Sequence, residues 1–451
     1  MLQKNQSVDL QCDALGADFE GVCRHDGLVV FVPGLLPGET GRVRVVKASK
    51  QYAVGRLEAL LEASPSRQTP PCPYYPRCGG CTAQHLPYAD TLAHKRRHAA
   101  DCLERIGGFA APDVAEAWGM ADPWRYRNKG AFPVAGTPGA PQIGCFAARS
   151  HRVIDAPGGC LLQSEQSDAL VRAVRHWMAD RRIAPYDETT HTGLLRHVMT
   201  REAKSGALML VLVVNGHALP YAQSLIDCAR EAAPALASVI LSENRERTNV
   251  ILGARNTVLW GAPALEDEIA GFRMQVSPRS FFQVNRAQAE RLYQAAIEAA
   301  ELSGSETVWD VYCGCGSITL PLSLRAKWAV GVEVSTDAIA DAKENARQND
   351  VTNATFLAGA AEEILPSLAA REGAPDVAVI DPPRKGCEVT ALEALAAAKP
   401  RRIVYVSCNP ATLARDAKLL AGRGYALGRV QPVDLFGWTG HIELVAPLTL
   451  R

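Results

Sequence analysis

From about residue 271 onward, the chain alternates short apolar runs with helical segments, and this alternation constrains the fold most strongly. Strands that are separated by helices in this way form a parallel, doubly wound sheet. Such sheets bind their ligands at the carboxyl ends of the strands. The polar residues that follow each strand are therefore the first candidates for a functional site. The predicted strands are 307–312, 328–334, 354–358, 376–381 and 402–407, and the predicted helices include 336–348 and 388–398.

The first of these strands leads into Asp310-Val-Tyr-Cys-Gly-Cys-Gly316, and Glu333 lies at the end of the second. Glycines at a strand end let the backbone approach a ligand closely, and an acid after the next strand commonly binds the two hydroxyls of a ribose. Taken alone, the glycines indicate only a tight turn. Together with Glu333 they favour a nucleoside-type ligand, and Cys313 and Cys315 are interpreted as packing thiols.

Three further residues are candidates for the site, and two of them, Asp381 and Cys408, lie at the same edge of the predicted sheet. Asp381 precedes two prolines that fix the backbone as it leaves its strand. Cys408 follows strand 402–407 and is either a core thiol or a nucleophile, because a thiolate attacks electron-poor ring carbons and leaves again. Glu443 precedes an apolar run, where a carboxylate forms a buried ion pair or acts as a general base.

The first part of the chain has a different pattern. Residues 7–62 contain short strands with turn residues between them, and Asp26-Gly27 is typical of a hairpin turn. A small antiparallel barrel is the natural closure of such strands, and barrels of this kind bind oligonucleotides or other proteins. Beyond a proline-rich linker, mixed strands with a helix at 88–106 and helical stretches near 164–180 and 219–232 predict an α+β region.

The chain contains 13 cysteines, and three of them lie close together in Cys72-Pro-Tyr-Tyr-Pro-Arg-Cys78-Gly-Gly-Cys81. Because disulfides are disfavoured in a reducing compartment, this spacing favours metal ligation. Both a [4Fe–4S] cluster and a structural zinc ion require four thiolates. The candidates for the fourth ligand are Cys160, which lies in a similar glycine turn, Cys102 and Cys145.

The overall charge excludes a general attraction to nucleic acid, because the formal net charge is zero. The longest apolar stretch, 207–214, is too short to span a bilayer, and no secretory or lipidation signal is recognisable, so a cytoplasmic protein is predicted. Two basic clusters are candidates for phosphate contacts, although basic side chains are usually only solvated. The clusters are Arg42, Arg44, Lys47, Lys50 and Arg56, and Arg125, Arg127 and Lys129.

Taken together, these motifs resemble one family over nearly the whole chain, the S-adenosylmethionine-dependent RNA (uracil-5)-methyltransferases. The resemblance implies a multidomain α/β fold. Its parts are a TRAM-like, OB-like β-barrel at residues 1–65, a central iron–sulfur and RNA-binding α+β domain at 66–270, and a Rossmann-like class I methyltransferase domain at 271–451. The motifs that carry it are Ser280-Phe-Phe-Gln-Val-Asn285, Asp310-Val-Tyr-Cys-Gly-Cys-Gly316, Ile380-Asp-Pro-Pro-Arg384, Val406-Ser-Cys-Asn-Pro410 and His441-Ile-Glu443.

The cysteine segment is similar to that of the family members that act on 23S ribosomal RNA. The resemblance implies that a [4Fe–4S] cluster with a structural role is bound by Cys72, Cys78, Cys81 and Cys160. It also implies a monomer that binds ribosomal RNA and no membrane. Three segments that resemble the ribosomal group are expected on the RNA side, namely 125–129, 147–152 and 193–197.

The resemblance also implies the ligands of the methyl donor, S-adenosyl-L-methionine. They are Gln283, Tyr312, Glu333 and Asp381, of which Asp381 is also a candidate for orienting the uracil. The family usually has a polar residue near the adenine, whereas Gly359-Ala360-Ala361 offers none. The adenine contact is therefore left to backbone groups or to Glu362.

The implied mechanism is attack of Cys408 on C6 of uracil, followed by removal of the C5 proton by Glu443. Cytosine-5 enzymes commonly carry their cysteine directly after the proline where this chain has Arg384, and Cys387 lies further on, which favours uracil. The competing functions are uracil-5 methylation of transfer RNA, a catalytically inactive RNA-binding homologue, another kind of methyltransferase, and a redox role for the cysteines.

Overall fold

The computed structural model describes residues 2–451, and its N-terminal part is a closed barrel of five strands. These are β1 (Ser7–Leu15), β2 (Glu20–His25), β3 (Leu28–Pro33), β4 (Thr40–Ala48) and β5 (Tyr52–Glu62). The strand order around the barrel is β1-β2-β3-β5-β4. Asp26 and Gly27 join β2 to β3 with φ angles of 49° and 81°, as a two-residue hairpin turn requires. The predicted barrel and its hairpin turn are confirmed.

The middle of the chain contains one sheet of seven strands and three helices. In chain order the elements are α1 (Tyr88–Arg105), β6 (Lys129–Thr137), β7 (Ala140–Phe146), β8 (Val153–Asp155), α2 (Glu165–Asp180), β9 (Leu195–Glu202), β10 (Leu208–Val214), α3 (Ala222–Ala232), β11 (Leu236–Glu243) and β12 (Arg255–Gly261). The sheet order is β12-β11-β10-β9-β6-β7-β8. Helices α2 and α3 share a hydrophobic core with this sheet, so the predicted α+β character is confirmed.

The C-terminal part begins with a hairpin and continues as a three-layer α/β structure. Its elements are β13 (Leu265–Ile269), β14 (Phe272–Val276), α4 (Arg286–Ala300), β15 (Thr307–Val311), α5 (Thr319–Ser323), β16 (Trp328–Glu333), α6 (Thr336–Gln348), β17 (Ala354–Ala358), α7 (Ala361–Glu372), β18 (Val377–Ile380), α8 (Val389–Ala398), β19 (Arg402–Ser407), α9 (Pro410–Ala421), β20 (Tyr425–Leu427), β21 (Gln431–Val433) and β22 (Glu443–Leu450). The sheet order is β17-β16-β15-β18-β19-β22-β20, with β21 paired to β22.

Strands β15 to β19 are parallel, and the central residues of β15, β16, β18 and β19 are buried on both faces. Helices cover both faces of such a sheet, which explains why these strands are continuously apolar rather than alternating. The predicted doubly wound sheet is therefore present. Its last strand differs, because β22 runs antiparallel to β19.

Helix α1 lies within the range predicted for the central region, yet it packs on the C-terminal sheet. Ala99, Cys102 and Leu103 of this helix belong to the same hydrophobic core as β15 and β19. The following segment continues the contact, since Val114 and Trp118 form isolated bridges with Val430 and Val433. Cys102 is therefore built into the C-terminal core. None of the helices within residues 2–451 has the length and apolar character that a membrane crossing requires.

Candidate active site

Five strand termini place polar side chains at one edge of the C-terminal sheet. Four of them are carboxyl ends of the parallel strands β15, β16, β18 and β19. The fifth is the start of β22, which reaches the same edge because it is antiparallel and pairs Leu444 with Ser407. The residues brought together in this way are Asp310, Tyr312, Glu333, Asp381, Cys408 and Glu443.

The glycine turn after β15 lies against the carboxylate of Glu333. The backbone N–H of Gly314 donates to Oε2 of Glu333 at 3.3 Å, and the N–H of Ser335 donates to Oε1 at 2.9 Å. Gly314 and Gly316 have φ angles of 54° and 86°, which side-chain-bearing residues rarely adopt. The turn and the acid therefore form one preorganised unit that suits the ribose of a nucleoside ligand.

The segment that carries Gln283 lies beside this turn. The thiol of Cys315 contacts the carbonyl oxygen of Phe281 at 3.9 Å. The amide of Asn128 donates to the carbonyl oxygen of Gln283 at 2.9 Å and ties the segment to the central region. Gln283 is almost buried, whereas Phe281 leaves 75% of its surface exposed at the opening of the site. An aromatic ring in this position offers a flat apolar surface to a planar ligand.

Asp310 and Tyr312 lie beneath the ligand edge. One carboxylate oxygen of Asp310 accepts a hydrogen bond from the Thr319 hydroxyl at 2.6 Å, while the other is buried without a partner. Burial raises the pKa of Asp310 to about 7. Tyr312 has a φ of 70°, and its hydroxyl contacts the thiol of Cys387. Sequence reasoning noted Asp310 only as the start of a motif, although an acid in a buried strand was itself a signal.

The thiol and two carboxyl groups form the other half of the site. Burial, together with the nearby Glu443 and Asp381, raises the pKa of Cys408 to about 11. Burial and then Asp381 raise the pKa of Glu443 well above its ordinary value, and burial raises that of Asp381 to about 6. Negative charge on the neighbouring carboxylates thus adds to burial in disfavouring the ionised forms of Cys408 and Glu443.

Helix α9 begins directly after the thiol. The side chain of Asn409 caps this helix by accepting a hydrogen bond from the N–H of Ala411 at 3.0 Å. Its amide donates to the carbonyl oxygen of Arg384 at 3.2 Å, which joins the segments after β18 and β19. The positive end of the helix dipole favours a thiolate at Cys408, and Arg384 acts in the same direction. The capping role of Asn409 was not predicted from the sequence, although Asn before Pro is a common helix start.

Two neighbouring residues have contacts elsewhere. Lys385 pairs with Glu388 at 2.6 Å on the surface. The N–H of Cys387 donates to the buried carboxylate of Asp416, and its thiol contacts Tyr405 as well as Tyr312. Cys387 is thus a packing thiol beneath the site, as the uracil interpretation requires.

The cysteine segment surrounds a separate cavity of about 210 Å³. All four predicted ligands line it, and Cys145 of β7 lines it as well. A hydrogen bond with the Cys145 thiol lowers the pKa of Cys78 to about 6. Within residues 2–451, no three His, Cys, Asp or Glu side chains converge as the ligands of a single metal ion. The cysteine thiols do line one cavity. The predicted ligands are Cys72, Cys78, Cys81 and Cys160.

The predicted basic clusters are only partly free to bind phosphate. In the barrel, Arg42 pairs with Asp9 at 2.9 Å and Arg44 pairs with Glu58 at 2.5 Å. In the central region, Arg125 pairs with Asp168 at 2.7 Å and also donates to the carbonyl oxygens of Cys160 and Gln163. These three arginines are occupied by acids of the protein itself, so less positive charge is free than the sequence clusters indicated.

Two family models and several known proteins match this chain. The family model described as tRNA (Uracil-5-)-methyltransferase matches residues 221–449, and the TRAM domain model matches residues 3–57. An uncharacterized RNA methyltransferase of Halalkalibacterium halodurans is 45% identical over 451 residues, with 100% of this chain and 98% of that protein covered. An uncharacterized RNA methyltransferase of Listeria innocua is 45% identical over 452 residues, with 100% and 99% covered.

Among solved structures, the Pyrococcus abyssi tRNA (uracil-54, C5)-methyltransferase in complex with S-adenosyl-L-homocysteine superposes with a TM-score of 0.77. It is 26% identical, and the match covers 98% of this chain and 100% of that one. The match thus includes the barrel, the central region and the catalytic sheet. The chain belongs to the tRNA (uracil-5-)-methyltransferase family and is an S-adenosylmethionine-dependent RNA (uracil-5) methyltransferase.

Proposed function

We propose that this protein methylates C5 of a specific uridine in 23S ribosomal RNA, with Cys408 as the nucleophile and Glu443 as the base. The observation that carries the proposal is the pairing of β22 with β19, which sets the start of β22 beside the end of β19. A thiol and a carboxyl group with a raised pKa are thereby placed next to each other at the ligand edge of a methyltransferase sheet.

The residues permit a balanced sequence of bonds. The thiol of Cys408 first releases its proton to solvent. The thiolate sulfur then forms a bond to C6 of uracil, and the electron pair of the C5–C6 double bond moves toward C5 and O4. When bound, S-adenosyl-L-methionine supplies an electrophilic methyl group for that carbon. Glu443 then takes the C5 proton, the double bond forms again, and the C6–S pair returns to sulfur. The raised pKa makes Glu443 a stronger base than an ordinary carboxylate.

The donor would be held by Gln283, Tyr312, Glu333 and Asp381, which lie around the glycine turn. Glu333 carries the firmest support, since two backbone N–H groups fix its carboxylate. The adenine contact is assigned to backbone groups after β17 or to Glu362, whose charge acts on Tyr312. Uridine in a folded RNA must lie in a loop or flip out to reach Cys408.

A [4Fe–4S] cluster with a structural role is part of the proposal. Cys72, Cys78, Cys81 and Cys160 would hold it, because they line one cavity. The cysteine segment also supports 23S ribosomal RNA as the target, because its sequence resembles that of the ribosomal enzymes. The domain limits 1–65, 66–270 and 271–451, a monomeric state and a cytoplasmic location complete the proposal.

Iron and sulfide analysis of anaerobically purified protein tests the cluster. We expect iron and sulfide in equal amounts and their loss in Cys160→Ser. Cys102→Ser is the matched control, because Cys102 belongs to α1, lies in the C-terminal core, and its thiol contacts His98. Iron that is absent from the unmodified protein, or lost equally in both variants, would contradict this ligand set.

Methylation of ribosomal RNA and transfer RNA transcripts in parallel tests the target. We expect transfer of labelled methyl from S-adenosyl-L-methionine to 23S ribosomal RNA, with none in Cys408→Ala. The alternative target is transfer RNA, the RNA for which the Pyrococcus abyssi methyltransferase is named. Methylation of transfer RNA alone would replace the ribosomal proposal. Methylation of neither RNA would favour an inactive RNA-binding homologue.

A further inference from the structure

We propose that Lys95 and Trp438 are positioning residues that fix the loop 434–442, here called the base loop, and so hold Glu443 against the C5 hydrogen. The inference rests on the proposed role of Glu443 as the base. The base loop connects β21 to β22 and ends at Glu443. Four distant parts of the chain hold the base loop in place, namely α1, residues 82–83, residues 123–124 and the barrel.

The first contact is a buried ion pair between α1 and the start of the base loop. Nζ of Lys95 lies 2.7 Å from Oδ1 of Asp434, and the two side chains are 1% and 0% exposed. Lys95 also donates to the carbonyl oxygen of Phe436 at 3.1 Å. The hydroxyl of Tyr88 donates to the other oxygen of Asp434 at 2.6 Å. A buried ion pair adds little net stability, but it specifies one geometry because each charge has few alternatives.

The second contact centres on Trp438, which has a φ of 65°. A bulky side chain in the left-handed region is strained and persists only where its surroundings enforce it. Its ring stacks on Trp124 at 4.8 Å, and its Nε1 donates to the carbonyl oxygen of Pro123 at 3.1 Å. Its own carbonyl oxygen accepts the N–H groups of Thr82 and Ala83 at 2.8 and 3.1 Å. Those two residues directly follow Cys81, so the cysteine segment is bonded to the base loop.

The third contact comes from the barrel. A Cβ atom on Gly440 would lie 2.3 Å from the carbonyl oxygen of Ala17, so the barrel turn and the base loop touch through their backbones. Barrel, cysteine segment and α1 thus meet on one loop. Glu443 is the first residue after that loop, and its carboxylate direction depends on where the loop ends.

This arrangement predicts a defect in one step only. With Glu443 misplaced, Cys408 still attacks C6 and C5 still receives its methyl group. The C5 proton is not removed, so the C6–S bond does not break. A methylated protein–RNA adduct should therefore accumulate on ordinary uridine, which a general loss of stability would not produce.

The test compares variants for denaturation-resistant adducts with unmodified RNA, and mass spectrometry identifies the methyl group. Lys95→Met combined with Asp434→Asn removes both charges and leaves neither unpaired. Trp438→Gly removes the stacked ring and relieves the left-handed strain. The matched control is Arg402→Met with Glu301→Gln, an ion pair at the opposite end of β19. Glu443→Gln is the positive control, and 5-fluorouridine RNA measures attack by Cys408 separately.

We expect the Lys95/Asp434 variant and Trp438→Gly to accumulate methylated adduct, with turnover reduced by about tenfold or more, because small misplacements of a catalytic group are costly. The control pair should show neither effect. The inference is overturned if both variants lose turnover without adduct while Glu443→Gln accumulates it. It is also overturned if trapping on 5-fluorouridine RNA falls in parallel with turnover. If Glu443→Gln itself gives no adduct, the proposed base fails and the inference fails with it.

Discussion

At the scale of single residues, the site combines a thiol with two carboxyl groups that share one buried environment. Burial is the main cause of the raised pKa values of Cys408, Asp381 and Glu443. A thiol with a pKa of about 11 is mostly protonated at neutral pH, so attack on uracil requires its proton to leave as substrate binds. A base with a raised pKa is suited to accept a proton from carbon.

We predict that the rate of adduct formation rises with pH from neutral to alkaline solution. After burial and Glu443, Asp381 contributes to the raised pKa of Cys408, and after burial it contributes to that of Glu443. Replacing Asp381 with Asn removes a negative charge, so Cys408 and Glu443 should ionise more easily. The rise of the adduct-formation rate with pH should therefore begin at lower pH. Rapid trapping on 5-fluorouridine RNA across a pH series measures the shift.

Asp376→Asn is the matched control for this variant, because Asp376 lies at the opposite end of β18. Its carboxylate accepts a hydrogen bond from the backbone N–H of Thr307. Its pH profile should superpose on that of the unmodified protein. If the rise of the rate in Asp381→Asn stays at the same pH or moves to higher pH, the electrostatic effect of Asp381 on Cys408 and Glu443 is contradicted.

At the scale of elements, much of the C-terminal fold was predictable and the pairing of its last strand was not. The predicted strand 402–407 coincides with β19, and the predicted helix 88–106 ends one residue beyond α1. The periodicity of hydrophobic residues and the residues that begin and end helices determine such elements. The antiparallel return of β22 and the packing of α1 on the C-terminal core depend on contacts between residues far apart in sequence, which local patterns do not contain.

The site likewise contains positions that local sequence patterns predict and positions that only long-range contacts determine. Asp310, Glu333, Asp381 and Cys408 follow parallel strands, and their shared edge could be inferred because all such ends meet there. The position of Glu443 beside Cys408 could not, since it follows from the register of β22. Likewise, nothing local indicated that Lys95 pairs with Asp434. Of the three candidates for a fourth cysteine, the sequence alone could not show that Cys160 and Cys145 line the cavity whereas Cys102 lies in the C-terminal core.

Helix α9 provides a prediction at this scale. Asn409→Ala removes its cap and should lower the free energy of unfolding by about 1 kcal/mol. It should also slow trapping by Cys408, because the residue before the helix loses its fixed position. Ser164→Ala removes the corresponding cap of α2 in the central region and is the control. Denaturant unfolding and the rates of trapping compare the two variants. Equal trapping rates in Asn409→Ala and Ser164→Ala would refute a role for the α9 cap in positioning the Cys408 thiol.

At the scale of the whole molecule, a chain with no formal net charge has RNA as its substrate. Attraction must then come from local unpaired cations rather than from the molecule as a whole. In the barrel, Lys47 and Lys50 are exposed, and the ammonium of Lys47 contacts the hydroxyl of Tyr52 rather than an acid. Arg42 is neutralised by Asp9.

We therefore expect Lys47→Ala with Lys50→Ala to weaken RNA binding for every sequence tested. The salt dependence of binding should decrease by roughly 0.7 in slope for each lost phosphate contact with single-stranded RNA. The charge-neutral control is Asp9→Asn with Arg42→Gln, which should change the slope little. Filter binding at several salt concentrations measures both. A larger change of the salt-dependence slope in the control than in the lysine variant would show that the surface around Asp9 and Arg42, not the lysines, contacts the RNA.

The central claim, that Cys408 attacks C6 of a uridine in RNA, is tested most directly by trapping with RNA that carries 5-fluorouridine. Fluorine does not leave C5 as a proton does, so the Cys408–C6 bond should persist after methyl transfer. With S-adenosyl-L-methionine present, we expect a denaturation-resistant complex whose peptide map places methylated nucleotide on Cys408. Cys408→Ala should give no complex. A complex attached to another residue, or one that also forms with Cys408→Ala, would contradict the assignment.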